Sequence, residues 1–342
     1  LVHQVIKYLD QCIENRKIPG YALAVVDSDQ TILEAYNGVN GEQDHTPINI
    51  HTVFDLASLT KVTATLPVIL KLIEQEKIQL DDSINNYFSF HFSREISVKE
   101  LLQHSSGLQA FYPFHHMSNF SKDAIIQKII ELESRTETSN EITYSDLNFI
   151  LLGLLAENIT GKPLDVLADK IIFEPLEMNH TCFNPSLNLS FAATEWDSSS
   201  EQYIQGKVHD ENARHMDGVA GHAGLFSTLT DMKKYAQAWL KQNDDDFLAE
   251  TTRQFSIETK FVSSNQARGL GWQFNKGVQI AGEQFSDWSF GHTGFTGTSI
   301  WFDDSRKKAV ILLTNRVHYG RENSIASLRK EVHNLVFDSL SN

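Results

Sequence analysis

Residues that repeat with the period of a strand lie at both ends of this chain, and residues with the period of a helix fill its middle. Near the start, residues 21–26 and 31–36 flank Asp27-Ser28-Asp29-Gln30, the pattern of a hairpin. Near the end, residues 285–290, 298–302 and 309–314 read as strands, followed by a helix over about 322–340. A helix over 1–16, with Val2, Val5, Ile6, Leu9 and Ile13 on one face, stops at Pro19-Gly20. Helical patterns over 62–76, 97–104, 122–134, 147–158, 164–173 and 230–241 lie between. This segregation predicts an α+β fold, an antiparallel sheet flanked by the N- and C-terminal helices with a mainly helical domain inserted. The expected boundaries are 1–60 plus 266–342 for the sheet domain and 61–265 for the insertion, with a site in the cleft between them. Pro67 falls inside the apolar run Val62, Leu66, Ile69, Leu70, Ile73. A proline there costs roughly 3 kcal/mol in a regular helix, so a kink is expected.

Charge narrows the function classes. With 44 acidic against 29 basic residues the formal charge is −15, which argues against nucleic acid or an anionic membrane surface as partner. Cys12 and Cys182 are far apart and belong to no metal or redox spacing. No apolar run approaches the length of a membrane span. A start at Leu1 without methionine is compatible with a leader or anchor removed upstream.

The run Phe54-Asp55-Leu56-Ala57-Ser58-Leu59-Thr60-Lys61-Val62 places a serine three residues before a lysine at the start of a helical pattern. Residues at that spacing are neighbours on a helix. A serine hydroxyl is a weak nucleophile until a base takes its proton, and a lysine in a water-poor setting can lose its own proton to help. The tetrad recurs as Ser305-Arg306-Lys307-Lys308 and Ser327-Leu328-Arg329-Lys330. The first reads as a solvated turn and the second as the polar, surface positions of an amphipathic helix. Only Ser58 is followed by a long apolar helix.

Three further segments carry polar groups at element boundaries: Tyr144-Ser145-Asp146 before an apolar helix, the glycine-rich run from Gly218 to Thr228, and Gly291-His292-Thr293-Gly294-Phe295-Thr296-Gly297, which connects or edges two predicted strands. Taken in order with Leu101-Leu102-Gln103-His104-Ser105-Ser106-Gly107-Leu108, these segments make the chain resemble the serine β-lactamase and penicillin-binding-protein superfamily along nearly its whole length. The resemblance is strongest to the class C β-lactamase, DD-peptidase and esterase branch. It implies that Ser58 attacks a carbonyl to give an acyl-enzyme and that Lys61 and Tyr144 share general-base and general-acid work. Tyrosine titrates near ~10, so either a nearby ammonium favours its phenolate or Lys61 accepts the serine proton itself. The resemblance also implies an oxyanion hole made by the backbone N–H groups of Ser58 and Phe295, where losing one donor costs roughly 3–4 kcal/mol of transition-state stabilisation. His292, Thr293, Gly294, Phe295 and Asp146 would bind substrate.

Two positions depart from the commonest pattern of the superfamily. Asp146 stands where asparagine is usual, and an ionised carboxylate donates no hydrogen bond. His292 stands where lysine is usual, and histidine is mostly neutral above ~6.5. Both shift the expectation from a penicillin-degrading enzyme toward an esterase or a hydrolase of D-amino-acid, cell-wall-like peptides. The alternatives are β-lactam turnover at the same site and a non-catalytic binding protein.

Blander readings stand beside these. Asp146 fits a helix N-cap, His104 with Ser105 and Ser106 a helix end, and the glycines around His222 either a close backbone approach or a tight turn. Adjacent His115 and His116 point apart on any regular element, so no metal is expected, and no cofactor motif occurs. The expected partner is a small ester, amide or peptide. The superfamily implies a bacterial cell-envelope or secreted location.

Overall fold

Every residue of the strand Gly20–Val26 is buried, so the strand needs cover on both faces. Tyr21, Leu23 and Val25 pack with Val5, Leu9, Val332 and Val336, whereas Ala22, Ala24 and Val26 join a cluster with Leu59, Val62, Leu229 and Met232. Successive strand side chains point to opposite faces. The terminal helices Val2–Glu14 and Ala326–Leu340 therefore cover one side of the sheet, and segments from the middle of the chain cover the other. The computed structural model describes residues 2–118, 120–133, 141–242, 245 and 247–340.

The main sheet has eight strands in the order Thr31–Gly38, Gly20–Val26, Lys308–Thr314, Ser299–Asp303, Phe290–Thr293, Gln273–Phe274, Ala267–Arg268, Phe261–Val262. Each neighbouring pair is antiparallel. Asp27 closes the first hairpin by accepting from the N–H groups of Asp29 and Gln30, both at 2.9 Å. The α+β architecture with terminal helices on the sheet is as expected from the sequence.

The strand expected over 285–290 is displaced to Phe290–Thr293. Ser289 N–H donates to the Ser286 carbonyl at 3.0 Å, so the preceding residues turn. The strand carries a glycine at 291 because a Cβ there would lie 2.3 Å from the Ile300 carbonyl oxygen and 2.5 Å from the Trp301 ring. The helix expected over 122–134 is Lys122–Glu133; Ser134, like Leu1 of the first helix, lies outside the described residues. Helices Glu211–His215 and Glu250–Glu258 and a three-stranded sheet of Phe54–Asp55, Leu225–Ser227 and Cys182–Phe183 were not legible. Two- and three-residue strands carry too little periodicity to read.

Pro67 is accommodated by a change of helix type. Lys61–Thr65 form a π turn in which Leu66 N–H reaches the Lys61 carbonyl, and the helix then continues over Leu66–Glu74. A proline ring clashes with the carbonyl four residues earlier in an α-helix; the wider turn changes that register, and such turns occur often at functional sites. Among the described residues no helix is long and apolar enough to cross a membrane.

Candidate active site

Ser58 is held at the head of its helix by a buried carboxylate. Asp55 accepts from Ala57 N–H at 2.8 Å and from His209 N–H at 2.7 Å. This fixes a sharp turn in which Ala57 has φ 47°, a left-handed conformation that a non-glycine residue adopts only when its surroundings impose it. Burial holds the Asp55 carboxyl above its ordinary range even though both N–H donors act in the opposite direction.

Lys61 lies fully buried below the serine. Its ammonium donates to Ser58 Oγ at 2.9 Å, Asp146 Oδ1 at 2.7 Å and the His222 carbonyl at 3.1 Å. An ammonium has three donors and no acceptor, so all of its protons are engaged. Burial, the largest influence, pulls its pKa down, but Asp146 and Tyr144 together outweigh burial and hold it above the ordinary value. The water-poor setting anticipated for this lysine is present, yet the acid beside it keeps the amine charged. Asp146 is therefore not the N-cap its sequence position suggests: Ser145 occupies that position of helix Asp146–Thr160, and Asp146, its first residue, is instead the counter-ion of Lys61.

Tyr144 is placed by residues that the motif does not contain. His104, with φ 55° at the end of helix Val98–Leu102, turns its ring against Tyr144 with centroids 4.6 Å apart. Its Nδ1 accepts from Ser145 N–H at 3.1 Å, and Asn148 Nδ2 lies 3.2 Å from the same nitrogen. Asn148 in turn accepts from Ser106 Oγ at 2.6 Å. The Lys61 ammonium and the Arg268 guanidinium stand 5.0 and 5.4 Å from the Tyr144 ring centroid. His104 thus ends a helix, as its sequence context suggests, and also braces Tyr144.

The third segment closes over the serine through tight packing. Gly294 tolerates no side chain, because a Cβ would meet Thr298 Oγ1 at 2.1 Å and the Leu56 carbonyl oxygen at 2.5 Å. Thr296 and Thr298 tie the loop down by donating to the carbonyls of Asp55 at 2.7 Å and Leu56 at 3.0 Å. Among the described residues the backbone N–H groups of Ser58 and Phe295 have no hydrogen-bond acceptor, which leaves both available to an oxyanion. His292 lies in the strand rather than in a loop. Its Nδ1 is 2.9 Å from the Thr293 carbonyl, to which it must donate, and its Nε2 is buried without a partner. Burial, with Arg268 and Lys61 nearby, holds its pKa well below the ordinary value, so the ring is neutral.

Ser58, Tyr144, His292, Thr293, Gly294 and Phe295 line one cleft of about 480 Å³. Lys61 and Asp146 adjoin Ser58 through the bonds above. The glycines beside His222 do mark close approach: a Cβ on Gly221 would sit 2.0 Å from the Phe149 carbonyl oxygen, and this proximity presents the His222 carbonyl to Lys61. His222 Nε2 pairs with Asp210 at 2.9 Å. His115 Nδ1 is 3.0 Å from Asn212 Oδ1, away from the cleft lining. Ser305 lies in the turn between two strands, as expected. The Ser327 tetrad is not wholly a surface feature, since its Arg329 is buried at the cleft.

The beta-lactamase family model matches residues 5–334. An N-acetylmuramyl-L-alanine amidase of Bacillus subtilis (strain 168) is 30% identical, the match covering 92% of this chain and 81% of that protein. A putative D-alanyl-D-alanine carboxypeptidase of Escherichia coli O157:H7 is 29% identical, covering 93% and 82%. Among solved structures, EstCE1, a hydrolase with promiscuous acyltransferase activity, superposes with a TM-score of 0.81 at 18% identity over 98% of both chains. The chain therefore belongs to the beta-lactamase family, and is a hydrolase of the serine β-lactamase and penicillin-binding-protein superfamily.

Proposed function

We propose that the protein hydrolyses an ester or a D-amino-acid, cell-wall-like peptide through an acyl-enzyme on Ser58, in the cleft between the sheet and the helical insertion. The observation that carries this reading is the Ser58 hydroxyl 2.9 Å from a fully buried, charged lysine. Lys61 has no lone pair free while its protons are engaged, so Tyr144 is assigned as the base. The two cations near its ring are what such a base requires. As Ser58 Oγ forms its bond to the carbonyl carbon, its proton passes to Tyr144 Oη, which enters the step as the phenolate, and the carbonyl oxygen takes up negative charge between the N–H groups of Ser58 and Phe295. Collapse of the intermediate breaks the bond to the leaving group, which leaves with the proton from Tyr144. Water then repeats the sequence on the acyl-enzyme and frees Ser58.

The names of the amidase and the carboxypeptidase relatives favour cell-wall-like peptides or amides as substrate and the cell envelope or its exterior as location. The test is incubation with an activated acyl ester, a penicillin and a D-Ala-D-Ala peptide, followed by intact mass measurement. An acyl adduct that vanishes in Ser58→Ala is expected. Full turnover by Ser58→Ala, or neither adduct nor turnover with any of the three, would overturn the reading.

A further inference from the structure

An N–H group that is to receive an oxyanion cannot be tied down by a hydrogen bond of its own, so the residue carrying it must be anchored through its neighbours or its side chain. Gly294 and Thr296 anchor Phe295 from either side through the contacts above. Its ring is 47% exposed, and two groups hold it. The Arg316 guanidinium stands 4.5 Å from the ring centroid, and the His209 imidazole stacks on the ring with centroids 5.7 Å apart and planes inclined by 27°.

His209 is buried and lies outside the cleft lining, so it acts on what binds there only through its neighbours. Its Nε2 is 2.9 Å from Glu195 Oε2. Glu195 is ionised, because its bonds to His209 and to Arg321 outweigh burial and hold its carboxyl at about 2. An ionised carboxylate only accepts, so Nε2 of His209 carries the hydrogen and the ring is fixed in one orientation. Arg321 Nε lies 2.9 Å from both Glu195 oxygens, and the Arg321 carbonyl accepts from Arg316 Nη1 at 2.8 Å. Both groups on the Phe295 ring are thus tied to Arg321. The backbone of His209 reaches the other donor. Its N–H donates to Asp55 Oδ2, and Asp55 Oδ1 accepts from Ala57 N–H in the turn that sets Ser58. One residue therefore joins the supports of both oxyanion donors.

We propose that His209, oriented by Glu195, is a positioning residue of the oxyanion hole: it holds the Phe295 N–H in register with the Ser58 turn, so that both N–H groups meet the same oxygen. The proposal rests on the hydrolase reading above and adds to it a residue that none of the sequence motifs contains. No bond is made or broken at His209. A misplacement of about 1 Å costs up to about 10²-fold in rate, and loosening one of two donors costs about tenfold on that scale.

The test is a double-mutant cycle with para-nitrophenyl acetate. His209→Ala should lower kcat about tenfold with KM changed by less than about twofold, the pattern of an interaction made only in the transition state. Phe295→Ala keeps its N–H and loses the ring; it should lower kcat by about as much, and the double variant by no more than either, because both substitutions remove one contact. His209→Phe, which restores an aromatic face, should recover most of the loss. Losses that multiply to about a hundredfold in the double variant, or a kcat that stays while only the unfolding midpoint falls, overturn the proposal. His209→Leu takes the place of His209→Ala in the cycle if the alanine variant does not fold. Hydrogen exchange over residues 291–299, read by mass, needs no chemistry. The Gly294 N–H, bonded to the Thr298 carbonyl at 2.8 Å, should exchange faster in His209→Ala and at the native rate in His209→Phe. Unchanged exchange also overturns the proposal. If the native protein turns over no ester while exchange responds as expected, the hydrolase reading fails and the brace stands. If Ser58 is acylated but the cycle is additive, the brace fails and the hydrolase reading stands.

Discussion

Asp146→Asn isolates the device that keeps Lys61 charged. The substitution preserves shape and leaves an amide oxygen to accept from the ammonium, so it removes the charge and little else. The structure places the two charged atoms 2.7 Å apart, with the lysine fully buried and the carboxylate 21% exposed. Coulomb's law at an effective dielectric near 20 gives roughly 6 kcal/mol for that separation. Solvent at the exposed edge of Asp146 and the remaining acceptors, Ser58 Oγ and the His222 carbonyl, reduce the net effect. The lysine pKa should therefore fall, because burial is then opposed only by Tyr144, with a loss of folding stability below the ~3–5 kcal/mol for leaving a buried ion wholly unpaired. With a charged Lys61 in the active form, the alkaline limb of the kcat/KM profile moves to lower pH. The assay is hydrolysis of a para-nitrophenyl ester across the pH range, with urea unfolding in parallel. An alkaline limb that stays in place while stability drops would refute the claim that Asp146 sets the charge of Lys61.

Two further perturbations follow from the same geometry. Gly294→Ala sets a methyl against Thr298 Oγ1 and the Leu56 carbonyl, displacing the Phe295 N–H; kcat should fall by about 10²–10³, as for a lost oxyanion donor, together with a lower unfolding midpoint from the overpacking. A fall confined to stability would show that Phe295 is not a donor. Acid should destabilise the fold from about pH 6.5 downward. Burial holds His104 and His292 well below their ordinary pKa and His333 at about 3. The unfolded chain, titrating near ~6.5, binds these protons first, so stability is complete above that pH and is lost as pH falls toward the folded values. His333, at about 3, costs about 2 kcal/mol by pH 5, and His104 and His292 act in the same direction. Urea midpoints that stay flat between pH 7 and pH 5 would contradict this.

The parts of the fold that could be read in advance are those with long periodicity. The hairpin at Gly20–Gly38, the strands Ser299–Asp303 and Lys308–Thr314, and helices such as Asp146–Thr160 follow from residue patterns that repeat over many positions. The 285–290 strand was misplaced because Phe285 and Trp288 lie in the turning segment before it and only Phe290 belongs to it, while the true strand contains Gly291, a residue that weakens strand patterns. The short strands Phe54–Asp55 and Leu225–Ser227 left no trace, although their pairing sets the segment before Ser58 against the one that follows His222.

For the site, local order in the chain was enough to single out Ser58, Lys61, Tyr144 and the His292-Thr293-Gly294-Phe295 segment. Their spacing and element boundaries are properties of the chain itself. Which groups surround them was a question for the tertiary structure. The partner of Lys61 is 85 residues away and its third acceptor 161 away, and no local pattern encodes contacts across such distances. The same reason explains Asp146, which as sequence is a helix start and in space is the counter-ion of a buried ammonium. It also explains Arg329, an ordinary helical arginine in the sequence that packing buries at the wall of the cleft.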